Sequence, residues 1–199
     1  MIKLKDILNE GPTADPNLEF VSWVGTKVAP TAEIVDYIFK QETFVPYTYD
    51  DGYFPPKPYD KTKGNPKGTL TIGYGTTDPK YAFSGNTITE LEARKIALPD
   101  IQDAADAVQD WQKRALPTDT NSRKLTINMY RAMIDIVYNR GRSRFASSGF
   151  ATEVERGNYK KAYDLILNGP WGHANRRKAT ADMFIKDGIL NFTNSGRFG

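Results

Sequence analysis

Residues typical of β-strands are concentrated in one stretch of this 199-residue chain. Residues 47–54 and 69–74 are rich in Tyr, Thr and Ile, and the segment between them is rich in Pro, Gly and Lys, which predicts a loop. Elsewhere the apolar residues recur at the 3.6-residue spacing of helices. Strands that cluster early and are followed by helices predict an α+β fold, with a small β-bearing lobe and a larger all-helical lobe.

The first predicted helix carries a carboxylate on its apolar face. The helix is predicted to begin at Thr31, whose hydroxyl suits an N-cap. Its apolar residues recur at helical spacing: Ile34, Val35 and Ile38. Glu42 continues that face, and Pro46 forbids the helix from running much further. Glu42 is therefore expected near the C-terminal end of this helix.

Caps and apolar periodicity predict further helices. A capping box at Thr89–Glu92 begins a helix that Pro99 is expected to break or kink, with a second helix after it. The strongest apolar stripe stops at Gly141, a typical residue beyond a helix end. Its members are Leu125, Met129, Ala132, Met133, Ile136 and Val137. Shorter helices are expected at about 145–156, 159–168 and 175–187.

Composition excludes several classes of site. The chain has no cysteine, which rules out disulfides, thiolate nucleophiles and cysteine-bound zinc. Its single histidine, His173, rules out a site with two imidazoles and disfavours a Ser–His nucleophile. A net charge of +3 suits an acidic partner such as nucleic acid, anionic lipid or cell-wall polymer, without choosing among them.

The sequence also carries no sign of membrane insertion. No apolar run approaches the roughly 20 residues of a membrane span, and the first residues lack the apolar core of a secretory signal. The absence of cysteine fits a cytosolic place of synthesis without establishing it. An enzyme of this kind that acted outside the cytoplasm would need another exit route.

Glu42 and the pair Asp50 and Asp51 suggest acid–base chemistry. Glycoside hydrolysis needs a proton donor for the leaving oxygen and a second carboxylate that handles water. An apolar face and the negative end of a helix dipole both favour the protonated carboxyl of Glu42. A more solvated carboxylate next to Gly52 stays ionised. Spacing alone leaves the alternatives open, because a Glu at a helix end is usually solvated and an Asp before Gly is usually a turn residue.

These residues together resemble the phage-type lysozymes, glycoside hydrolase family 24. The family pattern is a Glu, a gap, Tyr-x-Asp and then Thr-Ile-Gly-x-Gly. Here Glu42 is followed after nine positions by Asp51, with Tyr49 two residues before it, and then by Thr71-Ile-Gly-Tyr-Gly75. Later segments resemble the family as well: 88–96, 131–141 and 171–176. The likeness covers roughly residues 35–188.

The resemblance implies a domain organisation. Residues 1–30 are expected to form an N-terminal extension that packs on the core, and 31–188 the phage-type lysozyme domain. Within that domain the small lobe covers about 42–85 and the helical lobe about 89–188, with the active-site cleft between them. Residues 189–199 are expected to be a C-terminal tail.

The resemblance also implies an activity and residue roles. Glu42 would protonate the glycosidic oxygen between N-acetylmuramic acid and N-acetylglucosamine. Asp51, with Thr71, would position and activate a water on the opposite face of the sugar, which inverts the anomeric centre. Inverting carboxyl pairs lie about 6.5–9.5 Å apart, and we expect that separation here. Tyr138 would line the cleft, and Arg176 would pair with Glu42; both are predicted substrate-binding residues.

The implied protein is an endolysin. It would be made in the host cytoplasm and would act on the periplasmic cell wall once the membrane is permeabilised. Its partner would be bacterial peptidoglycan, with no nucleic acid, no membrane insertion, no metal and no other cofactor. A monomer is expected.

Three departures from the family pattern keep alternatives open. The segment from Asp51 to Thr71 is longer than the family's short turn, so it could shift Asp51, cover the cleft, or give its role to Asp50 or Asp60. Thr76 stands where the family usually has His, so the ion pair of that His is absent. Residues 1–30 are extra.

Three alternative functions remain open. One has the same chemistry and is a virion-associated lysin that helps entry. Another is a catalytically inactive relative that binds glycan or is a structural part of a virion. A third is a chitinase or chitosanase on the same architecture.

Overall fold

The computed structural model describes residues 30–116, 125–170 and 172–186. It divides into two compact units. The first holds Val35–Asp100, and the second holds the described residues up to Ile34 and from Ile101 onward. Residues 1–29 of the expected extension, Trp171 and the expected tail lie outside the described residues, so the domain boundaries stay a prediction.

In the first unit a helix precedes a two-stranded antiparallel sheet. Helix α1 covers Ala32–Gln41, strand β1 Val45–Asp50 and strand β2 Leu70–Gly73. The register pairs Val45 with Gly73, Tyr49 with Thr71 and Asp50 with Leu70, with an irregularity between Val45 and Tyr49. A small sheet together with described elements that are otherwise mostly helices confirms the predicted α+β class.

A tight turn follows β2. The backbones of Ile72 and Thr76 exchange two hydrogen bonds, each 3.0 Å long. Gly73 and Gly75 have φ angles of 68° and 97°, a region that L side chains rarely adopt. A Cβ atom on Gly73 would also lie 3.0 Å from the Cβ of Ala93. The Gly-Tyr-Gly sequence is therefore required by the shape of this turn.

Asp50 closes the base of the long segment between the strands. This residue is buried. Its Oδ1 accepts hydrogen bonds from the backbone N–H groups of Gly52 and Gly68 at 3.0 and 2.8 Å, and its Oδ2 accepts one from Lys67 at 2.6 Å. One carboxylate thus joins the two ends of the segment, and its three donors are neutral backbone groups that hydrogen-bond the charged form.

Helix α2 covers Glu90–Ala115 and begins at the predicted capping box. The Oγ1 of Thr89 accepts from the N–H of Glu92 at 3.2 Å, and the Glu92 carboxylate accepts from the N–H of Thr89 at 2.8 Å. The prediction of a separate second helix after Pro99 is wrong, because α2 continues through this residue. Pro99 leaves the carbonyl of Lys95 without its helical donor. Both residues are exposed, so water can hydrogen-bond that carbonyl.

Five more helices follow in the second unit. They are α3 (Ile127–Arg140), α4 (Arg142–Ala146), α5 (Gly149–Glu155), α6 (Tyr159–Asn168) and α7 (Ala174–Phe184). The predicted stop at Gly141 is confirmed: its φ is 84° and its N–H donates to the carbonyl of Val137 at 2.7 Å. The single helix predicted at 145–156 is two helices, because Ser148 caps α5 by accepting from the N–H of Ala151. No helix in the described ranges is long and apolar enough to cross a bilayer.

An ion pair is buried between α3 and α7. The guanidinium of Arg176 donates to the Oδ1 of Asp135 through Nη2 at 2.7 Å and through Nε at 3.2 Å. The hydroxyl of Thr180 donates to Oδ2 of the same carboxylate at 2.7 Å. Both charged side chains are nearly inaccessible, at 7% and 2% exposure. Removing either partner would therefore leave an uncompensated buried charge.

We expect Asp50→Asn to lower the melting temperature at pH 7 and to remove part of the protein's acid sensitivity. Burial alone would raise the pKa of Asp50, but the three backbone hydrogen bonds and the nearby Lys67 charge outweigh it and hold the pKa below its ordinary 3.8. The ionised carboxylate therefore stabilises the fold above that ordinary pKa, and this contribution is lost as the pH falls through the lower folded-state pKa.

Thermal melts between pH 7 and about pH 2 measure this effect. The difference in melting temperature between wild type and Asp50→Asn should be constant near neutral pH and shrink in the acid range. Asp103→Asn is the control at pH 7, since Asp103 is exposed on α2. A difference that stays constant across the whole range would contradict the role given to the Asp50 carboxylate.

Candidate active site

Glu42 lies directly after the last residue of α1. Its N–H donates to the carbonyl of Ile38 at 3.0 Å, so the helical hydrogen-bond pattern runs one residue beyond the helix. The Glu42 residue is half-buried, while Val35 and Ile38 on the same face are fully buried. This matches the expected position at the C-terminal end of an apolar helix face.

The phenol of Tyr49 lies close enough to both carboxylates of the predicted pair for their charges to affect it. Burial raises the pKa of its phenol, and the negative charges of Asp51 and then Glu42 raise it further. A carboxylate acts in this way on a phenol only at short range, because charge interactions fall off with distance and are screened by water. Glu42, Tyr49 and Asp51 therefore lie in one neighbourhood of the first unit.

Asp51 is exposed and is fixed through one of its two carboxylate oxygens. Its backbone N–H donates to the carbonyl of Thr69 at 3.1 Å. Its Oδ1 accepts a short hydrogen bond from the N–H of Thr69. Its Oδ2 has no hydrogen-bond partner among the described residues. The carboxylate is thus oriented by β2 while one oxygen is left for solvent or a ligand.

Thr71 is buried opposite Tyr49 in the strand pairing. Its hydroxyl donates to the carbonyl of Thr69 at 3.1 Å. The peptide groups of Thr69 therefore contact both Asp51 and Thr71. The sequence analysis did not identify Thr69 as a site residue. The available signal was its place on the predicted strand, two residues before Thr71.

The two carboxylates that could have replaced Asp51 are engaged elsewhere. Asp50 accepts the three backbone hydrogen bonds at the base of the long segment. Asp60 caps the 3-10 turn Lys61–Lys63: its Oδ1 accepts from the backbone N–H of Thr62 at 2.9 Å and from the Thr62 hydroxyl at 2.7 Å. Asp50 thus has both oxygens engaged, and Asp60 is fixed in a turn of the long segment, whereas Asp51 is fixed by β2, the strand that carries Thr71.

A network unforeseen from the sequence holds the turn after β2 against α2. The hydroxyl of Tyr74 donates to the Glu90 carboxylate at 2.7 Å, and Arg94 contacts the same carboxylate at 2.9 Å. Burial and the hydrogen bond to Glu90 raise the pKa of Tyr74 to about 12, against the opposing charge of Arg94. The guanidinium of Arg94 also lies 4.8 Å from the ring centroid of Phe39.

The remaining predicted site residues belong to the second unit. Tyr138 lies in the last turn of α3 and is half-buried. Arg176 lies on α7 and is held by Asp135, as described above. In the described parts of the chain, no group of three or more His, Cys, Asp or Glu residues is arranged to hold a metal ion.

Comparisons with known proteins place this chain in a family. The family profile described as "Phage lysozyme" matches residues 53–181, a range that includes Thr71, Tyr138 and Arg176. The endolysin of Salmonella phage P22 is 30% identical over 112 residues, which cover 56% of this chain and 69% of that protein.

Solved structures share the fold. The endolysin from Escherichia coli O157:H7 phage FAHEc1 superposes with a TM-score of 0.58 and 22% identity, covering 79% of this chain and 93% of that one. The muramidase domain of SpmX from Asticaccaulis excentricus gives a TM-score of 0.59 and 20% identity, covering 78% and 96%. The chain belongs to the phage lysozyme family and is a glycoside hydrolase.

Proposed function

We propose that this peptidoglycan-degrading lysozyme hydrolyses the β-1,4 bond between N-acetylmuramic acid and N-acetylglucosamine with inversion at the anomeric carbon. One observation carries the proposal: a half-buried Glu42 at the end of α1 and an exposed Asp51 directly after β1 both lie near the phenol of Tyr49. Two such groups are the pattern that separates a proton donor from a proton acceptor.

In the proposed reaction Glu42 is the general acid. It is half-buried and lies directly after the apolar face of α1, at the C-terminal end of that helix. The proton passes to the glycosidic oxygen as the bond from that oxygen to C1 of the muramic acid breaks. Positive charge that develops on the ring is stabilised by the nearby carboxylates.

Asp51 is the proposed general base. Its Oδ2, which no described residue hydrogen-bonds, accepts a proton from water, and the water oxygen forms a bond to C1 on the face opposite the leaving group. The hydroxyl of Thr71 is proposed to help position that water, supported by the carbonyl of Thr69 at 3.1 Å. The proton lost by Glu42 and the proton gained by Asp51 then exchange with solvent.

Tyr138 and Arg176 are proposed to bind substrate. Arg176 already donates hydrogen bonds to both carboxylate oxygens of Asp135. A guanidinium fixed in this way loses little further side-chain entropy when it binds a polar group. Tyr138 offers an aromatic face and a hydroxyl, which suit the apolar face and the hydroxyls of a sugar ring.

The proposed setting is host lysis. The enzyme would be made in the host cytoplasm and would reach the periplasmic wall after the membrane is permeabilised, acting as a monomer. The relative from phage P22 is itself an endolysin. A lysin carried on the virion would use the same chemistry at the start of infection.

We expect Glu42→Gln to lower the rate on purified peptidoglycan by about 10²–10⁴-fold, because an amide cannot donate the proton that the leaving oxygen requires. Release of reducing ends measures the rate. Glu92→Gln is the matched control, because glutamine also completes a capping box and should retain activity. Wild-type-like activity of Glu42→Gln in a folded protein would refute the assignment.

We expect Asp51→Asn to reduce activity by a similar factor while the melting temperature changes little, since the residue is exposed. Asp60→Asn should stay active, because Asp60 is engaged in capping the 3-10 turn. Both rates are measured on the same substrate. If Asp60→Asn is inactive and Asp51→Asn is not, the roles of the two residues are reversed.

We expect the first product formed from the β-linked glycan to be the α-anomer, with N-acetylmuramic acid at the new reducing end. Proton NMR during early turnover measures the anomeric configuration of the first product. Borohydride reduction followed by mass spectrometry identifies the sugar at the new reducing end. An initial β-anomer would exclude inversion. A new N-acetylglucosamine end would exclude the proposed bond, and faster cleavage of chitin oligomers would favour a chitinase.

A further inference from the structure

Two aromatic side chains project from the long segment between the strands. We call residues 52–68 the insertion loop. Phe54 is 95% exposed and Tyr53 50%. A phenylalanine this exposed removes no apolar surface from water within the described chain, so folding does not explain its position. Tyr53 and Phe54 are adjacent and both exposed, and a contiguous apolar surface rimmed by polar residues points to a partner.

The insertion loop holds this position through hydrogen bonds. The Asp50 carboxylate joins its two ends. The N–H of Tyr59 donates to the carbonyl of Thr48 at 2.8 Å, and the Tyr59 hydroxyl donates to the carbonyl of Gly64 at 2.9 Å. The hydroxyl of Tyr47 donates to the carbonyl of Pro56 at 3.2 Å. A loop fastened at its ends and its middle presents Phe54 without a further ordering cost on binding.

The insertion loop also carries the net charge of the protein. It contains four lysines and a single acid, Asp60, and so has a net charge of +3; the lysines are Lys57, Lys61, Lys63 and Lys67. The rest of the chain has 23 basic and 23 acidic residues and is formally neutral. None of the four lysines forms an ion pair within the described ranges. The ammonium of Lys67 lies 4.9 Å from the ring centroid of Tyr53.

We propose that the insertion loop docks this enzyme on an anionic lipid surface, with Phe54 in the interfacial layer and the lysines against lipid phosphates. Aromatic rings partition into the boundary between headgroups and acyl chains. Lysines near such a surface each contribute through the negative surface potential. An aromatic residue and a cluster of lysines on one rigid loop combine these two contributions, and the binding is peripheral.

The chemistry of the loop favours lipid over glycan. A sugar-binding site needs polar side chains next to the stacking aromatic ring, to hydrogen-bond the hydroxyl groups of the sugar. Phe54 is followed by Pro55 and Pro56, which offer no side-chain hydrogen bond. The one carboxylate of the loop, Asp60, already accepts two hydrogen bonds from Thr62. Lysines instead match phosphate, which is a diffuse anionic target.

Sedimentation of the full-length protein with vesicles tests the proposal. Vesicles of phosphatidylcholine with or without phosphatidylglycerol are the probe, and the assay needs no enzyme activity. Wild type should bind only the vesicles that contain phosphatidylglycerol, and less at high salt. Phe54→Ser should weaken binding about tenfold, and the double variant Lys61→Ala, Lys63→Ala about 30-fold, at roughly fivefold per lysine.

Matched controls come from outside the insertion loop. Phe83 is 49% exposed in the same unit, and Phe83→Ser should bind vesicles like wild type. Lys95 and Lys113 are exposed on α2, and the double variant Lys95→Ala, Lys113→Ala should also bind like wild type. All variants should retain wild-type hydrolysis of lipid-free peptidoglycan, which separates this proposal from the proposed function.

Three outcomes would overturn the proposal. The first is wild type that does not bind vesicles containing phosphatidylglycerol. The second is binding that the loop variants and the control variants change equally. The third is Phe54→Ser that binds vesicles normally but loses affinity for purified peptidoglycan, which would make the insertion loop a glycan-binding element.

Discussion

The hydrogen bonds of two adjacent aspartates organise the small unit. Asp50 is turned inward and joins the ends of the insertion loop through three backbone N–H groups. Asp51, the next residue, is exposed and has an oxygen that no described residue hydrogen-bonds. Asp50 is the last residue of β1 and Asp51 is the first residue after it, so one position of difference separates a structural carboxylate from one available for chemistry. The long insertion is tolerated because Asp50 keeps its ends as close as a short turn would.

β2 gives the same neighbourhood its second support. The peptide of Thr69 bonds Asp51 through both its N–H and its carbonyl, and that carbonyl also accepts from the hydroxyl of Thr71. The strand pairing then sets Thr71 opposite Tyr49. The pairing of β1 with β2 thus orients the groups proposed to handle water. The position of Glu42 instead depends on where α1 ends.

Much of the fold follows from local sequence rules. The capping box at Thr89–Glu92 and the glycine stop at Gly141 are short-range signals, and the structure follows both. The prediction that Pro99 ends the helix was wrong, because the cost of a lost helical hydrogen bond depends on whether water can replace it. Exposure to water is a property of the tertiary structure, which local sequence does not give. The hydrogen bonds from Lys67 and Gly68 to Asp50 join residues 17 and 18 positions apart in the sequence, and no local pattern predicts them.

The site was predictable to a different degree. Spacing placed Glu42 at the end of an apolar helix face, and the structure has it there. The family spacing favoured Asp51, but the long segment after it left Asp50 and Asp60 open. The sequence alone could not show that the backbone N–H groups of Lys67 and Gly68 would bind Asp50. The network of Tyr74, Glu90 and Arg94 was equally hidden, because its members lie on a turn and a helix whose approach depends on packing.

The ion pair between Asp135 and Arg176 limits how this lineage can diverge. A guanidinium and a carboxylate with almost no access to water cannot be exchanged one at a time without passing through an intermediate that contains a lone buried charge. Among descendants of this chain, positions 135 and 176 should therefore change together or not at all. In an alignment of such descendants, residues 135 and 176 would then change as a pair, although they lie on two helices far apart in the sequence.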